Sequence, residues 1–229
     1  MIKIVVDAMG GDFAPVEQVK GSVAALEKNK DVSLILVGDE TQIKGELANY
    51  QYDASRLEIV HTTETIGMEE VPTKAVKTKK DSSLVVAFRM LKEGKADGLV
   101  SSGSTGAVLT AGVLILGRLK GVSRPALCPA IPNYRGEGTL ICDCGANLEC
   151  KPVNLLHFAV MASAYAEAVY EKHYIIREFL TALGVSAGCA AEDACKMEHL
   201  VSEETFLAMK KFLQNRSFWS SGPCFFQLL

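Results

Sequence analysis

The chain has 229 residues, 48% hydrophobic and 22% charged, with a formal net charge of −3. That length suits one large α/β domain or two smaller ones, and the balance is that of an ordinary globular protein. No basic stripe dominates any segment, which argues against a nucleic-acid partner.

The start, MIKIVVDAMGG, passes from a short apolar run straight to acidic and glycine residues, so no signal peptide is expected. IKIVVDAM reads as a strand ending at Asp7, and VEQVKGSVAALEKN follows with helical period. SLILVGD is the next strand, and LEIVHT, ending at Thr62, is another. PTKAVKTKK and SSLVVAFRMLKEGKA are helical in pattern. The KTKK run within them reads either as a solvated helix end or as an anion site. GLVSSGSTG is a strand that ends in a Gly/Ser/Thr turn, and the apolar helix AVLTAGVLILGRL follows it. That run is too short and too glycine-interrupted to span a bilayer. ALCPAIP and GTLICDCGAN are two further strand-like runs. Alternation of strand and helix with continuously apolar strands predicts an α/β fold, a mostly parallel three-layer sheet with helices on both faces.

After Pro152 the pattern turns helical throughout, and no strand is expected beyond Asn147. Ser202, followed by Glu203, Glu204 and Thr205, is a plausible N-cap of the last helix. Residues 214–229 form an unpatterned tail with the only tryptophan. The seven cysteines are an odd number. Cys128, Cys142 and Cys144 sit in strand-like runs and read as reduced, buried thiols, with a metal pair at Cys142 and Cys144 as the alternative.

Ligands of open α/β sheets sit outside the carboxyl ends of the strands. Three strand ends here are rich in glycine and small polar residues: Asp7, Gly10 and Gly11; Ser101, Ser102, Gly103, Ser104, Thr105 and Gly106; and Asp143, Gly145, Ala146 and Asn147. A Gly/Ser/Thr turn that opens a helix presents backbone N–H groups and hydroxyls to an anion. The second stretch fits that best, although a tight turn without a ligand has the same composition. It is neither a Walker loop nor GxGxxG, so it gives no specific support to nucleotide binding.

Taken together, DAMGGDxxP at 7–15, VPTKAVKTKKDSS at 71–83, SxGxTGA at 101–107, RPALxPxxP at 124–132 and GANxxCKPxxLxxFAxM at 145–161 resemble the bacterial acyl-carrier-protein:phosphate acyltransferase (PlsX) family. The likeness covers residues 1 to about 170, with the motifs in the same order and spacing. It implies a phosphotransacetylase-like fold. It also implies transfer of a fatty acyl group from acyl carrier protein to inorganic phosphate, giving acyl phosphate for phospholipid synthesis. No cofactor is required for that reaction. The resemblance further implies a homodimer in the cytoplasm, peripheral to the inner membrane face. Phosphate is already a nucleophilic anion, so positioning and charge stabilisation are what the protein must supply. On this reading Lys79, Lys80 and Asn147 are the catalytic candidates. The other residues of the three strand ends bind substrate.

Members of that family continue with a Pro-Arg-Val-Gly-Leu-Leu strand and with Gly-Asn loops that do not follow here. The expectation is therefore a truncated acyltransferase domain over 1–165, with an incomplete sheet and impaired activity. From Ala166 to Leu213, AEAVYEKHYIIREFLTALGV and AAEDACKMEHLVSEETF resemble instead the metal-binding and dimerisation helices of diphtheria-toxin-repressor-type regulators. Cys195, Glu198 and His199 fall at i, i+3 and i+4 on one helix face. Thiolate, carboxylate and imidazole suit a divalent transition metal. His173 matches a further ligand position, while the next one holds Arg177. This implies a helical segment over 166–213. The alternative function is thus a metal-responsive dimerisation module, or an inactive remnant joining two families.

Overall fold

In a computed structural model the described residues are 1–132, 138–147, 149–198 and 200–215, so His199 and the tail from 216 lie outside them. The chain divides into two compact units, Met1–Pro125 and Ala126–Leu229. This division differs in place from the 165/166 boundary expected from sequence, which falls inside one continuous helix, Pro152–Ala182.

The first unit is a parallel sheet of four strands: β1 (Ile2–Asp7), β2 (Val32–Gly38), β3 (Leu57–His61) and β4 (Gly98–Val100). The spatial order is β3-β2-β1-β4. Helices α1 (Val16–Lys28), α2 (Glu40–Leu47), α3 (Pro72–Thr78), α4 (Ser83–Lys92) and α5 (Thr105–Ala111) connect and cover the strands. A π-helical turn, Gly112–Leu116, extends α5.

Side chains alternate across the sheet, as strand geometry requires. Val6, Leu34 and Leu36 pack with Val19, Val23 and Leu26 of α1 and Ile43 and Leu47 of α2. Val5, Ile35 and Val37 point to the other face, against Ala87 and Met90 of α4. Both faces are thus covered, which is why these strands are apolar without interruption. Each fully buried aliphatic side chain stabilises the unit by about 1.5–3 kcal/mol. A third cluster joins Val76 of α3, Val85 and Phe88 of α4, and Ala107 and Ala111 of α5.

Arg56 ties the sheet's first crossovers together. Its guanidinium donates to the carbonyls of Leu26 at 2.8 Å, Asn29 at 2.8 Å and Val32 at 3.2 Å, and to Asp53 Oδ2 at 2.9 Å. Asp39 caps α2, its Oδ1 accepting from the Gln42 N–H at 3.0 Å.

The second unit holds β5 (Ala130–Pro132), β6 (Gly138–Leu140), α6 (Pro152–Ala182), α7 (Ala187–Met197) and α8 (Glu203–Asn215). The two strand-like runs expected of the large sheet pair only with each other here, as a short antiparallel ladder. The expected strand GTLICDCGAN stops at Leu140, and Asp143 takes a positive φ of 65°. That conformation ends the alternation that would have set Cys142 and Cys144 on one face. Nor are the thiols buried: Cys128 and Cys142 are half-buried and Cys144 is exposed, because a two-stranded ladder has no covering layer of its own. Pro152 begins α6 at a position where no N–H is needed, and Asn154 Oδ1 accepts from the Lys151 N–H at 2.9 Å. Ile175 and Ile176 of α6 close a core with Ala194 of α7 and Phe206, Met209 and Leu213 of α8. Ser202 does cap α8, its Oγ accepting from the Thr205 N–H at 3.3 Å.

Candidate active site

The strand order decides where a ligand belongs. The chain builds β1, β2 and β3 outward in one direction, then returns to lay β4 on the other side of β1. The order reverses between β1 and β4, and the crevice of such a sheet opens at the carboxyl ends of those two strands. Those ends are Asp7–Gly11 and Ser101–Gly106.

The two loops touch through atoms that tolerate no side chain between them. A Cβ built on Gly10 would lie 2.4 Å from Asp7 Oδ2 and 3.0 Å from the Gly103 nitrogen. Gly11 has a φ of 114°, and a Cβ there would meet the Ser102 carbonyl at 3.1 Å. Polar contacts follow the same seam. The Ser101 hydroxyl donates to Asp7 Oδ2 at 2.7 Å, while Ser101 Oγ accepts from the Gly103 N–H at 3.1 Å. The Ser102 hydroxyl donates to the Gly10 carbonyl at 2.9 Å. Asp7 is 2% exposed, and its Oδ1 has no hydrogen-bond partner among the described residues. Ser104 caps α5, and Gly106 packs on Pro72 of α3, where a Cβ would come within 2.8 Å of Cγ.

The structure brings Asp7, Gly10, Gly11, Ser101, Ser102 and Gly103 into one contact set, with Ser104, Thr105 and Gly106 opening the adjoining helix. Lys79 ends α3, and its Nζ is already engaged, 2.5 Å from Glu70 Oε1 and 2.7 Å from the Thr65 carbonyl. The Lys79 ammonium holds the Glu70 carboxyl below its ordinary range. Lys80 is exposed, with no ion-pair partner among the described residues. Asp143, Gly145, Ala146 and Asn147 lie in the second unit and form a turn of their own. The Asn147 amide donates to Asp143 Oδ1 at 2.9 Å, and Gly145 takes a φ of 76°. The Cys150 thiol approaches Asp143 Oδ2 at 3.7 Å. A separate hollow of about 500 Å³, among Met1, Lys3, Glu58, Lys95 and Asp97, is at the amino ends of the strands, away from this chemistry.

One contributor had no sequence signal beyond its position in the first turns of α1. Gln18 Nε2 donates to the Gly10 carbonyl at 2.6 Å and to Ser102 Oγ at 2.9 Å, so it clasps both loops. A lone polar residue in an amphipathic helix reads as solvated until the fold turns it toward the strand ends.

A family model described as "Fatty acid synthesis protein" matches residues 2–185. The chain belongs to that family. The phosphate acyltransferase of Clostridioides difficile strain 630 is 52% identical over 168 residues, 73% of this chain and 49% of its own length. That of Syntrophomonas wolfei is 49% identical over 169 residues, 74% of this chain and 53% of its own. The chain therefore spans about half the length of the curated relatives it matches. Among solved structures, a phosphotransacetylase of Streptococcus pyogenes aligns over 74% of this chain and 54% of its own, with 19% identity and a TM-score of 0.55. The phosphotransacetylase EutD of Staphylococcus aureus aligns over 72% of this chain and 52% of its own, with 24% identity and a TM-score of 0.51. Both share the α/β fold.

A second model, "Iron dependent repressor, metal binding and dimerisation domain", matches residues 163–222. His173 Nδ1 and Glu198 Oε2 are 3.0 Å apart, so two donors do converge. Cys195 is exposed, and Arg177 lies over the Tyr174 ring, 5.3 Å from its centroid, and 3.6 Å from Glu178. No three His, Cys, Asp or Glu side chains gather among the described residues, and His199 is not one of them. Two donors with a cation at the next ligand position do not by themselves make a metal centre.

Proposed function

We propose that the chain carries the chemistry of a phosphate acyltransferase, moving a fatty acyl group from the thioester of acyl carrier protein to inorganic phosphate. The observation that carries this reading is the paired loops Asp7–Gly11 and Ser101–Gly106 at the reversal of strand order. Its family membership and the names of its relatives support the same reading.

A phosphate oxygen attacks the thioester carbonyl carbon. The C–O bond forms, the C–S bond breaks, and the carrier's thiol leaves with the proton of hydrogen phosphate. The product is acyl phosphate, the activated acyl donor for phospholipid synthesis. In this scheme Ser104 and Thr105 hold phosphate through their hydroxyls, with the first backbone N–H groups of α5 beside them, and Ser102 joins them when its hydroxyl turns from the Gly10 carbonyl. Asp7, through Ser101 and Gly103, keeps the loop in register. Gly10, Gly11 and Gly106 allow backbone to approach backbone. Lys80, and Lys79 when released from Glu70, offset the anionic charge. None of these steps calls for a cofactor.

The proposal extends to the partners: acyl carrier protein, a second copy of the chain in a homodimer, and a cytoplasmic place at the inner face of the membrane. Among the described residues no helix is long and apolar enough to cross a bilayer.

The test is release of carrier thiol from myristoyl-acyl carrier protein by the purified chain, read with a thiol reagent. Release that depends on phosphate and saturates with it is expected. Release that ignores phosphate, or none at protein concentrations equal to substrate, rejects the activity for this chain.

A further inference from the structure

The β5–β6 ladder continues past the strands themselves. Ala130 faces Leu140, and Pro132 faces Gly138. Beyond them, the Ile141 N–H donates to the Pro129 carbonyl at 3.1 Å and the Asp143 N–H to the Leu127 carbonyl at 2.6 Å. The same register sets Cys128 opposite Cys142. Hydrogen-bonded and non-hydrogen-bonded pairs alternate along an antiparallel ladder, and Cys128–Cys142 falls between the bonded pairs 129–141 and 127–143. It is therefore a non-hydrogen-bonded pair, the kind whose Cα atoms stand about 4.5 Å apart with side chains close together. Disulfides span Cα separations of about 4.4–6.8 Å, so this pair can be bridged with little backbone movement.

The two thiols meet as the register requires. Burial, and then the neighbouring Cys128, pushes the Cys142 thiol up, and a hydrogen bond to Cys128 holds the proton on Cys142. Both residues are half-buried, which leaves them open to a small oxidant. The nearby thiols are directed at oxygen instead. Cys144 Sγ donates to the Ile141 carbonyl at 3.7 Å, and Cys150 Sγ to Asp143 Oδ2 at 3.7 Å and the Asn147 carbonyl at 3.8 Å.

A bridge here would act on a ladder that has only two strands. Two strands alone are marginally stable in water. A covalent tie between them restricts the unfolded chain by closing the loop 128–142. Asp143, the residue after Cys142, holds the turn through Asn147, so the tie would also fix where that turn begins.

We propose that Cys128 and Cys142 form a reversible cross-strand disulfide, a redox site that locks the ladder at the Asp143–Asn147 turn. The proposal goes beyond the acyltransferase reading and does not rest on it. The oxidant is a peroxide. Cys142 keeps its proton, so Cys128 attacks first. Its thiolate sulfur takes one peroxide oxygen: the S–O bond forms, the O–O bond breaks, and hydroxide leaves to become water, giving a sulfenic acid. The Cys142 sulfur then attacks that sulfur, the S–S bond forms, the S–O bond breaks, and the second oxygen leaves as water with the Cys142 proton. Two electrons pass from sulfur to peroxide in all. A small dithiol reverses the bridge by exchange.

The test uses the full chain, reduced, desalted and titrated with hydrogen peroxide. Free thiols are capped with N-ethylmaleimide, and tryptic peptides are mapped by mass spectrometry without reduction. Arg135 lies between the two cysteines, so trypsin separates them and a bridge joins two peptides. One equivalent of peroxide should give the Cys128–Cys142 link as the main product, and dithiothreitol should remove it. Amide exchange at Ile141 and Asp143 should slow at least tenfold in the oxidised chain. In Cys128→Ser, peroxide should leave that exchange unchanged, while the reduced variant melts with the parent. A link through Cys144 or Cys150, a bridge between two chains, or Cys128 carried to sulfinic acid without a link overturns the proposal. A Cys128–Cys142 link that leaves exchange at both amides unchanged overturns the locking. The mapping is made on the parent chain, so the outcome stands even where the serine variant fails to fold.

Discussion

Gly10→Ala tests whether the contact between the two loops builds the site. The new Cβ would sit 2.4 Å from Asp7 Oδ2, about 1 Å short of an ordinary 3.4 Å contact, and 3.0 Å from the Gly103 nitrogen. Neither obstacle is the free end of a flexible side chain. Asp7 is buried and fixed by the Ser101 hydroxyl at 2.7 Å, and Gly103 is backbone. Forcing a methyl group into such a place costs about 1–3 kcal/mol. If Asp7 withdraws instead, a hydrogen bond to a charged group worth about 1.5–3 kcal/mol is lost. Taking about 2–4 kcal/mol as the outcome, Tm should fall by roughly 8–16 °C for a unit of this size.

Two further variants make the reasoning vulnerable. Gly21→Ala places its Cβ in open space and should leave Tm unchanged or raise it, by up to about 1 kcal/mol of helix propensity. Asp7→Ala removes the carboxylate that the new methyl would strike, so Gly10→Ala should cost less in that background than alone, a non-additivity expected only of contacting residues. Scanning calorimetry of the four proteins of the cycle measures this. A Gly10→Ala chain that melts with the parent, or a cycle that is strictly additive, refutes the account of the seam.

Two other predictions follow from the electrostatics. Asp53 is drawn down from its ordinary 3.8 to about 2 by the Ser55 hydroxyl, then by Arg56 and the Ser55 N–H. A carboxylate depressed in the fold contributes stability above its unfolded pKa and loses it as pH falls through the folded value. The Tm advantage of the parent over Asp53→Asn should therefore be full at pH 5, shrink below pH 4 and vanish near pH 2; a pH-independent gap would contradict it. Glu70→Gln should free Lys79 and lower the phosphate KM by about twofold to fivefold, the worth of one partly exposed charge. An unchanged KM with a lower Tm would assign Lys79 to holding the turn at Thr65.

The main sheet was legible because burial on both faces leaves a plain record. Runs such as LILV, Leu34–Val37, have no polar residue on either side of the pleat, and Gly38 and Asp39 mark where they end. The strand-end loops were legible for a related reason: close backbone contact admits only glycine, so DAMGG and SSGSTG announce it. What joins those loops was not legible. The Asp7–Ser101 bond spans 94 positions and the Gln18–Ser102 bond 84, and no local pattern encodes which distant hydroxyl a buried carboxylate will meet. ALCPAIP and GTLIC misled for the opposite reason. Apolar, β-branched composition signals strand but not which sheet the strand joins, and here the two pair with each other. The thiols within them were read as buried on the assumption of a covering layer.

The overlap of two family models on one helix has a physical basis. Residues 163–185 are matched by both, and they lie wholly within or just beyond α6. A helix needs only apolar side chains three and four apart to satisfy a neighbour, so one stretch can serve two unrelated packing problems. In α6 the two halves do so separately. The second half buries Ile175 and Ile176 fully against α7 and α8. The first half buries Phe158 and Asn154, while Val153, Leu156 and Val160, at i, i+3 and i+7, are 48%, 62% and 62% exposed. That spacing is the stripe of a helix made to pack, and soluble proteins rarely leave such stripes uncovered. The acyltransferase-like motif GANxxCKPxxLxxFAxM ends within this first half, and the repressor-like match supplies the partners of the second. The helix is continuous because backbone hydrogen bonding is indifferent to which family a side chain came from. Its apolar surface is not indifferent, and it is the feature that separates the two.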